Sequence, residues 1–298
     1  MTETVLQVNS LNKRFGKLTA VDNISFKVQK GNVYGLLGPN GSGKTTTLGI
    51  LLNTTNPSSG NWNWFGESFT STNSLMKIGA ILEHPNFYTY LNAEQNLKIS
   101  CAIKETSFSR IDEVLELVGL LNRKNDVFST YSLGMKQRLA IASAMINKPE
   151  VLILDEPTNG LDPEGIIQIR QLINLIAKNG TTILLASHLL DEVEKVCSHV
   201  IILKNGQSLY TGPVNELTNT NGYFELNSPD KNKLKEALTT IDEIEEIIDT
   251  GTFLKVLLKN DLEASRLNEN LSHQGIYLDH LVKRKQSLEE QFIELVNK

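Results

Sequence analysis

Residues 38–45 read GPNGSGKT and match every fixed position of the phosphate-binding loop pattern G-x-x-x-x-G-K-[ST]. These residue types suit an anion. Gly38, Gly41 and Gly43 carry no Cβ, so the loop, with Pro39 in its turn, can curl the backbone N–H groups of Asn40, Ser42 and their neighbours around phosphate oxygens. Lys44 brings a positive charge to the outer phosphates, and Thr45 offers a hydroxyl to Mg²⁺. VYGLL before the loop is an apolar run of strand length. TTTLGILLN after it, beginning at Thr45, Thr46 and Thr47, repeats its apolar residues at helical spacing. The context is therefore strand, glycine loop and helix N-terminus, and the helix adds partial positive charge at the same place.

A second segment, VLILDEP at 151–157, ends an apolar run on two carboxylates, Asp155 and Glu156. Adjacent carboxylates at a sheet edge are costly unless a cation or a solvated site receives them. A magnesium nucleotide does so: Asp155 acts through the metal or its water shell, and Glu156 orients and polarises the attacking water. NGLDPEG follows at 159–165. His188 comes directly after the buried strand TILLAS, which puts it at the same sheet edge and in reach of a terminal phosphate. Upstream, YSLGMKQRLAIASAM opens a helix with Ser132 as its N-cap.

These groups need a scaffold. VLQV and ISFKV read as short strands flanking a turn at Phe15-Gly16-Lys17, and Trp62 and Trp64 alternate with asparagines as rings buried by one strand. Residues 90–125 are mostly helical, with Ile111, Val114, Leu115 and Val118 on one face, and a second helix runs from about Leu133 to Asn147 before Pro149. VLILD and TILLAS are strands covered on both faces, 163–178 and 189–197 are helices, and Asn205-Gly206 turns a hairpin. Strands alternating with helices imply an α/β domain with a mostly parallel sheet. Composition shifts at TNTNG, residues 218–222. Beyond it, YFEL, helix 230–239, EIEEII, TFLKVLL, helix 261–272 and IYLDHLV follow the β-α-β-β-α-β order of a ferredoxin-like domain, ahead of a last helix at 287–296. The expected domains are 1–218 and 219–298. The acidic run from Asp242 to Glu246 reads as a solvated strand face.

Bulk properties narrow the classes. A chain of 298 residues holds one large domain or two smaller ones, and a net charge of −5 gives no sign of a nucleic-acid partner. Two cysteines, Cys101 and Cys197, read as buried thiols in a reducing compartment. No signal peptide is visible, and no apolar run reaches the roughly 20 residues that span a bilayer. A membrane role must come through a partner.

Residues 3–217 resemble the ATP-binding subunits of ABC transporters. GPNGSGKT looks like the family's Walker A motif, VLILDE its Walker B, NGLD its D-loop, His188 its switch histidine, and YSLGMKQR lies where its LSGGQ signature falls. The resemblance implies a P-loop ATPase domain with an antiparallel β subdomain and a helical subdomain at about 84–148. It implies ATP and Mg²⁺ as ligands, with Phe15 stacking on adenine. It also implies two ATPase subunits, in a homodimer or heterodimer, that share their sites, so that Ser132 and Gly134 of one complete the nucleotide site of the other. A separate membrane permease would contact the loop from Glu83 to Tyr90, with Phe87, Tyr88 and Tyr90 as exposed anchors, and would hold the chain on the cytoplasmic face of the membrane. Two departures stand out: Leu133 and Met135 replace a glycine and the glutamine of the signature, and Glu83 stands where a glutamine usually serves Mg²⁺ or water. Both variants are similar to those of bacitracin- and lantibiotic-type export ATPases, and the SLEEQFIELV tail is similar to theirs as well. The expected activity is ATP hydrolysis that drives export of an antibiotic, antimicrobial peptide or lipid-like compound. The alternative is a nucleotide-gated sensing module with little turnover. An ABC-type ATPase acting on ribosomes or DNA would carry a second cassette or a coiled-coil insertion, and a GTPase would carry an N-K-x-D motif; the sequence has neither.

Overall fold

Two long strands, Thr4–Phe15 (β1) and Leu18–Gln29 (β2), form an antiparallel hairpin that turns at Gly16. They extend well beyond VLQV and ISFKV. Register shifts absorb the irregular positions, where Ser10 and Asn23 take positive φ, so polar residues inside the hairpin bend the ladder without ending it. The computed structural model describes residues 3–68, 71–82, 86–218, 221–285 and 287–297. They fall into two units, Met1–Gly212 and Pro213–Lys298.

In the first unit, Val33–Leu37 (β3) leads through the glycine loop into Lys44–Leu51 (α1). Ser59–Trp64 (β4) and Glu67–Ser68 (β5) complete an antiparallel sheet of order β2-β1-β4-β5. Thr72–Met76 (α2) and Ile78–Ile81 (β6) follow, then the helices Ala93–Ile103 (α3), Arg110–Leu117 (α4) and Leu133–Ala144 (α5). Val151–Asp155 (β7), Pro163–Lys178 (α6), Thr182–Ser187 (β8), Leu190–Val196 (α7), His199–Lys204 (β9) and Gln207–Pro213 (β10) finish the domain. The second sheet has the order β10-β9-β3-β8-β7-β6, and its β9-β3-β8-β7-β6 pairs are parallel. All residues of β3, β7 and β8 are buried, as expected of strands covered on both faces. Asn205 and Gly206 both take positive φ, the geometry of a two-residue hairpin turn.

One apolar core spans both sheets of this unit: Val8, Phe26, Trp62 and Trp64 pack in the same cluster as Leu36, Leu48, Ile153 and Leu184. Trp64 Nε1 donates to Leu51 O at 2.9 Å, which satisfies a carbonyl at the end of α1. α5 stops at Ala144, three residues short of Asn147. A Cβ on Gly79 of β6 would stand 2.1 Å from Ala144 O, so the helix end and the strand are in close backbone contact.

In the second unit, Val214–Thr218 (α8) precedes Tyr223–Asn227 (β11), Lys231–Leu238 (α9), Ile244–Asp249 (β12), Leu254–Leu258 (β13), Ala264–His273 (α10), His280–Arg284 (β14) and Leu288–Asn297 (α11). The sheet order is β12-β13-β11-β14 with each neighbouring pair antiparallel, and Phe224, Leu226, Leu254 and Val256 share a core with Leu234 and Leu267 of the helices. The last strand begins at His280 and not at Ile276, because Ile276 packs into the helix-side core after α10 ends. β12 carries Glu245, Glu246 and Asp249 exposed on the sheet edge, a charged edge that discourages pairing with another chain.

Candidate functional site

The loop, the paired carboxylates and the histidine leave three neighbouring strands at one end of the parallel sheet. Leu37 pairs with Ser187, and Asp155 pairs with Ala186, so β3, β8 and β7 end at the same level. Glu156 takes positive φ, 48°, and its N–H donates to Ala186 O at 2.9 Å, which turns the chain sharply out of β7. Its side chain then reaches two partners. His188 Nδ1 donates to Glu156 Oε2 at 2.7 Å, since an ionised carboxylate can only accept. Lys44 Nζ stands 3.9 Å from Glu156 Oε1.

The glycine loop is shaped from within. Lys44 is buried, and its amine donates to Gly38 O at 2.8 Å and to Pro39 O at 3.4 Å. Gly38 has no room for a side chain, since a Cβ there would lie 2.3 Å from Ser42 Oγ and 2.4 Å from Leu203 O. α1 opens at Gly43 with no side-chain cap, which leaves its first N–H groups to a ligand. Ser42 Oγ is buried and, among the described residues, has no hydrogen-bond partner.

A cavity of about 310 Å³ collects Phe15, Asn40, Gly41, Ser42, Gly43, Lys44, Thr45, Thr46 and Glu156. The hairpin delivers Phe15 because β2 abuts the loop. A Cβ on Gly43 would lie 2.3 Å from Ala20 O, and Asp22 N–H donates to Gly206 O at 2.8 Å. Phe15 is exposed, with Lys13 Nζ 4.6 Å from its ring centre. Leu18 and Ala20 also line the cavity, and neither stood out in the sequence. Their only signal was position, three and five residues beyond Phe15 on the returning strand. Gly38 and Pro39 hold the lysine from behind the cavity lining. Asp155 is buried at the end of β7.

Ser132 and Gly134 stand apart. With Leu133, Met135, Gly160 and Asp162 they line a different cavity of about 440 Å³. Ser132 Oγ accepts from Met135 N–H at 3.3 Å and caps α5, as its position in the sequence predicts. Asp162 caps α6 in the same way, accepting from Gly165 N–H at 2.9 Å. Glu83 lies outside the described residues. Of the three aromatics beyond it, Tyr88 and Tyr90 are exposed, with ring centres 5.9 Å apart. Phe87 departs from expectation: it is half-buried, 5.1 Å from the Phe128 ring, and acts as a core contact of its loop. Asn96 secures that loop. It is buried, its Oδ1 accepts from Tyr88 N–H, and its Nδ2 donates to the carbonyls of Tyr88, Leu91 and Asn92.

A glycine cradle for phosphates with a carboxylate–histidine pair at its mouth defines a nucleotide-hydrolysing domain, and comparison with known proteins gives the family. The ABC transporter family model matches residues 21–159. The bacitracin transport ATP-binding protein BcrA of Bacillus licheniformis is 38% identical over 301 residues, covering 98% of this chain and 97% of that one. The lantibiotic transport ATP-binding protein SrtF of Streptococcus pyogenes is 40% identical over 227 residues, covering 74% of this chain and 99% of its own length. The structure of cbiO1 from Clostridium perfringens, part of the ABC transporter complex cbiONQ, superposes with a TM-score of 0.66 at 29% identity over 72% of this chain and 90% of that one. This chain belongs to the ATP-binding proteins of ABC transporters. It is an ATPase with the family's P-loop fold.

Proposed function

We propose that this chain hydrolyses ATP to power a membrane exporter of an antibiotic or antimicrobial peptide; the relatives named for bacitracin transport and lantibiotic transport support that cargo class. The observation that carries the mechanism is the Glu156 carboxylate, held by His188 at 2.7 Å and lying 3.9 Å from the Lys44 amine at the edge of the loop cavity. ATP would stack its base on Phe15 and lay its phosphates along Asn40–Thr46, with the Ser42 hydroxyl and the uncapped start of α1 as donors. Lys44 would exchange its loop carbonyls for the outer phosphates. Glu156 would take the proton of the attacking water, and His188 would hold that carboxylate in place and contact the terminal phosphate.

Mg²⁺ fits the residues present. Thr45 in the cavity and Asp155 beside Glu156 offer oxygen donors only, the set a hard cation takes, and Glu83 would add another. When bound, the cation would neutralise charge building up between the outer phosphates.

The separation of Ser132 and Gly134 from the loop cavity supports a shared site, in which these residues complete the nucleotide site of a second ATPase subunit. That subunit is a copy of this chain or a relative. α5 has 12 residues, and its capped N-terminus is suited to a terminal phosphate. Among the described residues no helix is long and apolar enough to cross a membrane. A separate permease would therefore place the chain at the cytoplasmic face, with Tyr88 and Tyr90 as contacts. The domains are read as 1–218 for the ATPase and 219–298 for an accessory module. The strand order β12-β13-β11-β14 around two helices supports a ferredoxin-like reading of the latter.

The test is to co-purify the chain with its permease, reconstitute both in vesicles and measure ATP turnover with and without bacitracin or a lantibiotic. Stimulated turnover together with drug resistance in cells supports the proposal. Turnover that stays negligible with the permease present overturns it in favour of a sensing module.

A further inference from the structure

The Leu133–Gly134 and Gly160–Leu161 segments face each other reciprocally, leucine against glycine. Leu133 Cδ2 lies 3.3 Å from where a Cβ on Gly160 would stand, and Leu161 Cδ2 lies 4.0 Å from the same point on Gly134. Each leucine thus covers the other segment's glycine. Gly160 has φ +75, so that position resists a side chain on two counts. Leu133 is 45% exposed, an apolar group at the first turn of α5 whose covered part meets the NGLD turn. From that turn a short run of backbone hydrogen bonds leads to Glu156. Leu161 N–H donates to Thr158 O at 3.2 Å, Asn159 N–H to Glu156 O at 3.1 Å, and Glu156 N–H to Ala186 O at 2.9 Å.

We infer that Leu133 is a positioning residue that couples the two nucleotide sites of the dimer through its contact with Gly160. The inference rests on the shared-site reading above. In that reading Ser132 serves the second subunit's ATP, while Glu156 serves this chain's own. When the second subunit's phosphate seats the start of α5, Leu133 bears on Gly160 and fixes the turn that orients Glu156. A glycine at position 133, as in the family signature, has no side chain to make this contact. The leucine therefore gives this chain a direct apolar link between its two half-sites.

The experiment compares the full-length wild type with Leu133→Gly and Leu133→Met. The readouts are the ATP dependence of hydrolysis, ATP-driven dimerisation in a Glu156→Gln background, binding of a fluorescent ATP analogue to dilute monomer, and Tm. Two coupled sites allow a Hill coefficient of up to about 2. Leu133→Gly should lower it toward about 1 while monomer affinity and Tm hold, and Leu133→Met, which keeps the contact, should retain wild-type cooperativity. A wild-type Hill coefficient in Leu133→Gly overturns the coupling role alone. A parallel fall of cooperativity and Tm in both variants also overturns it, because that is the signature of a packing role. A wild type with neither cooperativity nor ATP-driven dimers overturns the shared-site reading itself.

Discussion

His188 Nδ1 and Glu156 Oε2 are 2.7 Å apart, although 31 residues separate them in the chain. The pairing of β7 with β8 makes this contact, because both residues follow directly from the ends of those adjacent strands. On the proposed assignment Glu156 is the group that takes the proton. Glu156→Gln should then reduce phosphate release by roughly 10²–10⁴-fold while ATP binding persists. Parallel measurements of phosphate release and nucleotide affinity decide it, and turnover near the wild-type rate would remove Glu156 from that role.

Gly38→Ala tests the loop by geometry. The added methyl would meet Ser42 Oγ at 2.3 Å and the backbone carbonyl of Leu203 at 2.4 Å. The hydroxyl can rotate away, but the carbonyl belongs to β9 and cannot, so the loop must shift. ATP affinity should drop tenfold or more, which is about 1.4 kcal/mol. Equilibrium titration with a fluorescent ATP analogue measures it.

Asn96→Leu separates docking from chemistry. Asn96 does not line the nucleotide cavity, yet it holds Tyr88 by both backbone groups. Its loss should cost about 1–3 kcal/mol in urea unfolding, because part-buried backbone groups lose their partner. Basal ATPase activity of the isolated chain should remain, while stimulation by the permease falls. Full stimulation in this variant would argue against Tyr88 and Tyr90 as contacts.

Both thiols should be unreactive in the folded chain. Burial pushes Cys101 up from its ordinary pKa, partly countered by Arg110, and burial alone pushes Cys197 up further. A raised thiol pKa leaves little thiolate at pH 8, and both sulfurs are also inaccessible. Ellman's reagent should therefore label neither until denaturant is added, and fast labelling of either would contradict the packing.

Much of the site was legible because its residues sit next to their own structural signals. GPNGSGKT lies between an apolar run and a helical repeat, and VLILDE ends a buried strand, so the sequence order alone put both at a strand end. Which strands are neighbours was not legible. β3 pairs with β8 and β9, both more than 140 residues later in the chain, and that ladder sets the glycine loop beside the strand that leads to His188, while the β7–β8 pairing brings His188 to Glu156. Phe87 was misread for a related reason. Periodicity cannot reveal that the Phe128 ring waits across the fold to cover it. The start of β14 moved because Ile276 is apolar for the sake of the helix-side core, whereas a strand pattern reads the same residue as its own.

The left-handed backbone of Glu156 sets stability against activity. A residue with a Cβ held at φ 48° costs of order 1–3 kcal/mol, which glycine would relieve. Glu156→Gly should therefore melt at a higher temperature than the wild type while losing turnover. Selection for thermal robustness alone would erode this position, and only selection for hydrolysis would restore it.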